Sequence, residues 1–509
     1  TNFLDEMMAR RSWVIGGNSA AEHFFPVDQW ERALQEPAGP ESCNSVNMLR
    51  LIEALHPARP SARALDLYER ILWNHMLAVH EPERGMFTYY TPLRPGAYRV
   101  YSDPFDSMWC CVGTGLEVPG KYGQMIYTPS DQGRALDVNL FIASELRSLK
   151  EGQPLLRQET AFPDESRTSV AILSDALGAT TLRIRHPGWI PAGQMRLSLN
   201  GEAMASDSQP GTYAEIRRTW KAGDRVTVDL PMRLTVEPLP GSSRYAAFLY
   251  GPIVLAGHFG REGLSKLDFW TIDDTLGRRQ RPESEFPVLV TDSIDTLPEA
   301  LEPVPGQPLT FRTRPGLARP ADAELVPLFR TFYERYTVYW KVLAPAAYEA
   351  EQAARAEAKR VEAGLDARTI DRVRIADPDS ESAHAFRGER TDTGTGAYGS
   401  RPDTHWRHAR PGGWFEYRVR VSPDRPVVLS CTYWGQERGA RTFDVVVDGR
   451  AVATTSLGDR GVADFVTIDV PLPLDLTRGQ NDGVTVRFVP HPDNTAGGLF
   501  GLRVLPATD

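Results

Sequence analysis

The spacing of apolar residues changes once along this chain, near residue 130, and that change limits the fold more than any other feature. Before it, apolar positions recur every three or four residues, the period of a helix with one buried face; after it they alternate, the period of a half-buried strand. "NSVNMLRLIEAL" puts Val46, Leu49, Ile52 and Leu55 about one helical turn apart. "ARALDLYERILWNHMLAVH" puts Leu65, Tyr68, Leu72, Met76 and Val79 on one stripe, with Ile71 and His75 beside it. The opening "TNFLDEMMARRSWVIGG" reads as the tail of a helix with no start signal and no secretion signal before Thr1, as in a processed or truncated chain. Long irregular segments over residues 13–40 and 80–109 are rich in Trp, Tyr and Phe, which argues for ordered, functional loops.

Beyond residue 130, "ALDVNLFIASEL", "TLRIRHPGW", "MRLSLNG", "TYAEIRRTW" and "DRVTVDLPMRL" alternate between turn signals. "YAAFLYGPIVLAG" is a more continuous apolar run, expected as one buried strand. The alternation predicts a β-sandwich over 131–345. A charged, alanine-rich helix over 346–365 then serves as connector, and a second, smaller sandwich covers 366–509, with carbohydrate binding or a purely structural role as its two readings. The 42 glycines and 40 prolines supply the turns such strands need. A formal net charge of -9 gives no electrostatic case for nucleic acid or an anionic membrane surface. No apolar run reaches the roughly 18 residues of a membrane-spanning helix.

Four cysteines are too few for a disulfide scaffold in 509 residues. Cys431 alternates with apolar neighbours and reads as core. Cys43 in "ESCNSVN" and the adjacent Cys110 and Cys111 in "MWCCVG" fall where loops give way to helices. A helix N-terminus favours thiolate, the form that binds metal or attacks carbon. With Glu41 two residues before Cys43, these side chains could supply the four ligands zinc takes. Glu-x-Cys plus Cys-Cys lacks the paired spacing of a zinc ribbon, so buried thiols and a Cys110–Cys111 redox pair stand beside metal binding. Glu22, after a glycine pair and before aromatics, suits a general acid, and a surface carboxylate is its plain alternative. Tyr89 in "MFTYYTPLRPG" is either a sugar-packing ring or core. His23, His56, His75 and His80 have no metal-ligand spacing. No phosphate-binding or dinucleotide loop is present.

"IGGNSAAEHF", "ESCNSVNMLRL", "TYYTPLRPGAYRVYS", "WCCVGTGLEVPGKYGQMIY" and "FLYGPIVLAG", in this order over residues 1 to about 340, together resemble bacterial β-L-arabinofuranosidases of glycoside hydrolase families 127 and 146, with 146 the nearer. The resemblance implies a retaining glycosidase acting on plant cell-wall glycans or arabinose-containing oligosaccharides. It implies zinc held by Glu41, Cys43, Cys110 and Cys111, with Cys110 as nucleophile, Glu22 as acid/base and Tyr89 against the substrate. The implied fold is multidomain α and β, an (α/α)6 barrel followed by two β-sandwich domains. Residues 1–130 hold too few helices for six pairs, so they are expected to be the C-terminal part of such a barrel, with apolar faces left uncovered. A non-catalytic, zinc-stabilised carbohydrate-binding or scaffold fragment is the alternative. Glycan-degrading enzymes of this kind are commonly exported, which favours a periplasmic or secreted location over a cytoplasmic one.

Overall fold

The computed structural model describes residues 2–272, 275–277, 279–398, 401–459 and 461–507. It divides into two compact units, Thr1–Tyr348 and Glu349–Asp509.

In the first unit the helical period produces α1 (Asn2–Arg10), α2 (Trp30–Gln35), α3 (Ser42–Leu55), α4 (Ala62–Ile71), α5 (Leu77–Val79) and α6 (Cys110–Gln124). Val46, Leu49 and Ile52 of α3 are buried against Leu65, Tyr68 and Ile71 of α4, so both sequence stripes meet in one core. Ser61 starts α4: its hydroxyl accepts from the Ala64 N–H at 3.1 Å, a cap of about 1 kcal/mol. Between α4 and α5 the helix widens into a π turn, Leu72–Met76. Asn74 explains that turn, because its amide donates to Pro252 O at 2.8 Å and accepts from the Val254 N–H at 2.7 Å. The widened turn thereby docks the helix on a hairpin of the β region.

α6 is a poor helix by composition, carrying Pro119 and several glycines. Tertiary packing holds it. Gly115 lies so close to the Phe87 ring that a Cβ there would overlap it, and Val118 is buried in the same core.

The alternating strands that follow form two facing sheets. Four strands run in the spatial order Thr212–Thr219, Ala179–His186, Ala135–Val138, Tyr127–Ser130. Six run in the order Ser144–Arg147, Pro154–Thr160, Arg167–Ile172, Arg225–Asp229, Arg196–Leu199, Glu202–Met204. Val138, Leu156, Val170, Ile184, Ile216 and Val226 fill the space between them. A buried ion cluster ties this sandwich to α4: the Arg185 guanidinium pairs with Asp66 and, at 2.6 Å, with Glu69. Trp189 adds an indole N–H to Glu69 at 2.9 Å. Each charge has an opposite partner and hydrogen bonds in place of water.

Residues 234–343 build a further sheet, so the span 131–345, expected as one sandwich, comprises two β regions. "YAAFLYGPIVLAG", expected as one strand, is two antiparallel strands, Tyr245–Tyr250 and Ile253–His258, in the register Phe248↔Leu255. The reversal falls at Gly251–Pro252, where Gly251 has φ +57°; the apolar run hid a turn dipeptide because both strands are buried.

α7 (Pro345–Arg368) is long, charged and exposed, with Tyr348 its buried residue. In the second unit strands lie in the order Arg450–Asp459, Gln436–Val447, Val484–Pro490, Arg401–Val419, Ala496–Pro506, Val427–Trp434, Phe465–Leu472. Asp371–Val373 adds to the Ala496–Pro506 strand and Arg387–Tyr398 to the Arg401–Val419 strand. The sheet folds back on itself: Tyr433 and Phe443, on strands well separated in this order, bring their rings to 6.0 Å inside one core. Cys431 is fully buried there.

Candidate metal and nucleophile site

Four chain segments meet at the N-termini of α3 and α6. The Ala20–His23 reverse turn, closed by Ala20 N–H to His23 O (3.0 Å) and His23 N–H to Ala20 O (3.2 Å), carries Glu22 at its tip. Ala21 beside it bridges Pro40, which aligns the turn with the entry to α3. Glu41 is the residue before α3, its N–H held by the Ser19 hydroxyl at 3.0 Å. It bridges Tyr90, and the Ser42 N–H donates to Tyr89 O at 3.0 Å. Cys110 and Cys111 open α6 after Trp109, whose ring lies 5.9 Å from that of Tyr89.

These backbone ties bring the donor atoms of Glu41, Cys43, Cys110 and Cys111 all within 4.8 Å of one another. Among the described residues this is the one such group of His, Cys, Asp or Glu side chains. Cys43 Sγ lies 3.2 Å from Cys111 Sγ, and Cys110 Sγ 3.9 Å from Cys111 Sγ. Cys110 and Cys111 approach Glu41 Oε1 at 3.8 and 3.9 Å. Ligands tetrahedrally placed about 2.0–2.3 Å from one ion stand about 3.3–3.8 Å apart, so side-chain shifts of about 1 Å would bring this set onto a metal ion. All four cysteines of the chain are free thiols, Cys110 exposed and Cys111 buried.

The charge pattern supports the fit. Burial and the neighbouring Cys43 push the Glu41 carboxyl up to about 7. Hydrogen bonds from Cys111 and Thr114 draw Cys43 down to about 6. The same bond to Cys43, with burial, drives Cys111 up. Burial raises Cys110, opposed by its contact with Tyr89. Three sulfurs and a carboxylate this close cannot all carry charge unaided, so they share protons; a divalent cation replaces those protons and removes the conflict.

Glu22 and Tyr89 extend the cluster outward. The Cys110 thiol donates to Tyr89 Oη at 3.4 Å, and the Tyr89 hydroxyl donates to Glu22 Oε1. Glu22 and Cys110 are both exposed. Every residue given a catalytic, substrate or metal role from the sequence, Glu22, Glu41, Cys43, Tyr89, Cys110 and Cys111, is therefore in this one place. Sequence reasoning missed two supporting residues. Thr114 Oγ1 lies 3.1 Å from Cys43 Sγ, and Ser19 holds Glu41. Thr114 had a signal: in "WCCVGTG" it stands one helical turn after the cysteine pair, on the same face. Ser19 had none, since its contact spans 22 residues of irregular chain. Phe105, Met108 and Leu116 near this end of α6 are 89%, 90% and 69% exposed.

Residues 1–124 match the GH127 catalytic-domain model of β-L-arabinofuranosidases, and residues 135–232 the GH127 middle-domain model. Residues 235–342 match a domain of unknown function (DUF4986), and 364–505 a family of unknown function (DUF6805). No curated protein sequence matches the chain. A solved structure described as a glycoside hydrolase superposes with TM-score 0.50 at 20% identity, covering 67% of this chain and 61% of its own. A GH127 β-L-arabinofuranosidase from Geobacillus stearothermophilus T6 superposes with TM-score 0.49 at 19% identity, covering 67% and 55%. A family 35 carbohydrate binding module from Clostridium thermocellum superposes with TM-score 0.20 at 17% identity, covering 24% of this chain and 92% of its own. This chain thus spans 61% and 55% of the two longer proteins. Residues 1–124 and 135–232 are thus similar to the catalytic and middle domains of GH127 β-L-arabinofuranosidases.

Proposed function

We propose that the protein is a retaining glycoside hydrolase releasing β-L-arabinofuranose from plant cell-wall glycans, with Cys110 as nucleophile and Glu22 as acid/base. The observation that carries this reading is the connection Cys110–Tyr89–Glu22, in which one hydroxyl links a thiol of the four-donor cluster to an exposed carboxyl. Glu41, Cys43, Cys110 and Cys111 would hold zinc, which when bound keeps Cys110 a thiolate at neutral pH.

The remaining chemistry belongs to the chain. The Cys110 thiolate attacks the anomeric carbon, so that a carbon–sulfur bond forms as the glycosidic carbon–oxygen bond breaks. Glu22 gives its proton to the departing oxygen. In the second half Glu22 takes a proton from water, whose oxygen attacks the same carbon and expels the thiolate. Two inversions leave the configuration retained. Tyr89, between the two groups, orients Glu22 and presents its ring to the sugar. The closer affinity to family 146 and the reading of residues 1–130 as part of an (α/α)6 barrel rest on the sequence motifs.

The test is release of arabinose from an aryl β-L-arabinofuranoside by zinc-loaded protein. Cys110→Ala should abolish turnover, and Glu22→Gln should slow it by about 10²–10⁴-fold. Near-wild-type release by either variant overturns these roles. Zinc bound at unit stoichiometry without turnover would instead favour the non-catalytic, zinc-stabilised reading.

A further inference from the structure

A cavity of about 300 Å³ opens on the C-terminal unit and has no part in the chemistry above. Tyr398, at the end of its strand, Trp406 and His408 on strand Arg401–Val419, and Trp434 at the end of strand Val427–Trp434 line it with rings. Glu437 and Arg441, on strand Gln436–Val447, line it with charge. Trp406 and His408 are two apart and so share one face; their rings stack 4.8 Å apart at 25°. Trp434 stands edge-on to Tyr398 at 5.3 Å, and Tyr398 edge-on to Phe500 at 4.8 Å.

Two features separate this cluster from ordinary core packing. Its rings are half-buried, whereas Phe415, Tyr417, Tyr433 and Phe443 of the same unit are sealed inside. Its charges are also fixed in place. Glu437 and Arg441 pair at 2.8 Å with side chains only 11% and 19% exposed. Arg441 further donates to Arg438 O at 3.1 Å and Gly497 O at 3.0 Å. Glu437 can lie where it does because residue 498 is glycine: a Cβ there would stand 2.5 Å from Glu437 Oε1. A rigid carboxylate beside half-exposed indole rings, in a concave site, is the arrangement that takes a ligand with both C–H faces and hydroxyl groups.

We propose that this cavity binds a neutral sugar residue of a glycan, its C–H face against Trp406 or Trp434 and its hydroxyls on Glu437 and Arg441. The ring hydrogens of a sugar carry partial positive charge and suit the negative face of an indole. Hydroxyl donors to an ionised carboxylate make the stronger class of hydrogen bond. Neutral sugars are favoured over uronates because the fixed Glu437 carboxylate cancels Arg441 and repels a ligand carboxylate, while Arg438, the other cation lining the cavity, is exposed and screened by solvent. The site lies wholly within the second unit and needs neither Cys110 nor metal.

The test is native gel electrophoresis of the full chain through gels containing arabinan, arabinogalactan or polygalacturonate. Retardation by at least one neutral polymer is expected, weakened at least tenfold by Trp434→Ala and by Glu437→Gln, with unfolding temperatures unchanged. Cys110→Ala should be retarded like the wild type, which separates this site from the catalytic reading. If Trp434→Ala does not fold, Glu437→Gln decides. The proposal falls if neither neutral polymer retards the protein, if polygalacturonate alone does, if the variants that fold bind like wild type, or if Cys110→Ala abolishes retardation.

Discussion

Gly39 has φ +68°, and a Cβ on it would stand 2.5 Å from Thr91 O and from Pro92 Cα. It is also the residue whose carbonyl accepts the Ala21 N–H at 2.9 Å, so it couples the Glu22 turn to the approach of Glu41. Gly39→Ala should cost about 1–3 kcal/mol from the backbone conformation alone. A lower denaturation midpoint and weaker zinc retention in a chelator competition are expected together; an unchanged midpoint would refute this account of the turn. Thr114 acts more locally. Thr114→Val keeps the shape but removes the hydroxyl from Cys43 Sγ, and metal affinity should fall about 10–100-fold while the far-ultraviolet spectrum is retained. Thr114→Ser should restore most of it. Thr114 had a signal in its spacing from the cysteine pair, whereas the role of Gly39 shows only when its neighbours in space are known.

Among the elements, α3 and α4 were legible because a stripe of apolar residues at helical spacing has one way to be buried. α6 was legible only through its motif: Pro119 and its glycines argue against a helix, and the close fit of Gly115 on Phe87 supplies what propensity does not. The hairpin at Gly251–Pro252 was misread as one strand for the converse reason, since full burial erases the alternation that marks strand ends. That hairpin's last residue, His258, sits 3.3 Å from Glu324 and 3.4 Å from Glu334. The Glu334 hydrogen bond, against an opposing burial effect, raises its pKa above 6.5. A raised value means this contribution to stability is complete below about pH 6.5 and is lost as pH climbs through the folded-state value. His258→Gln should therefore destabilise the protein more at pH 5.5 than at pH 8.5 in urea titrations; an equal effect at both would show that His258 is not protonated by this pair.

The whole molecule is two units, each with its own core, and metal donors were found in the first only, among the described residues. Calorimetry should show two transitions. A chelator should lower the one belonging to residues 1–348 and leave the other in place, since a ligand stabilises only what it binds; at a thousandfold excess over its dissociation constant that amounts to about 4 kcal/mol. A chelator effect on both transitions, or on neither, would contradict this division.

The sequence by itself determined where helix gives way to strand, which residues face a core, and which cysteines stand at helix starts, because each of these follows from periodicity or from a neighbour in the chain. The tertiary structure decided that Glu22, Glu41, Tyr89, Cys43, Cys110 and Cys111 share one site. Their convergence depends on single bridges, Ala21 to Pro40 and Glu41 to Tyr90, between irregular segments whose hydrogen bonds leave no repeating mark in the sequence. The family motifs named the residues in advance, yet only the fold supplies the hydroxyl of Tyr89 that joins Cys110 to Glu22.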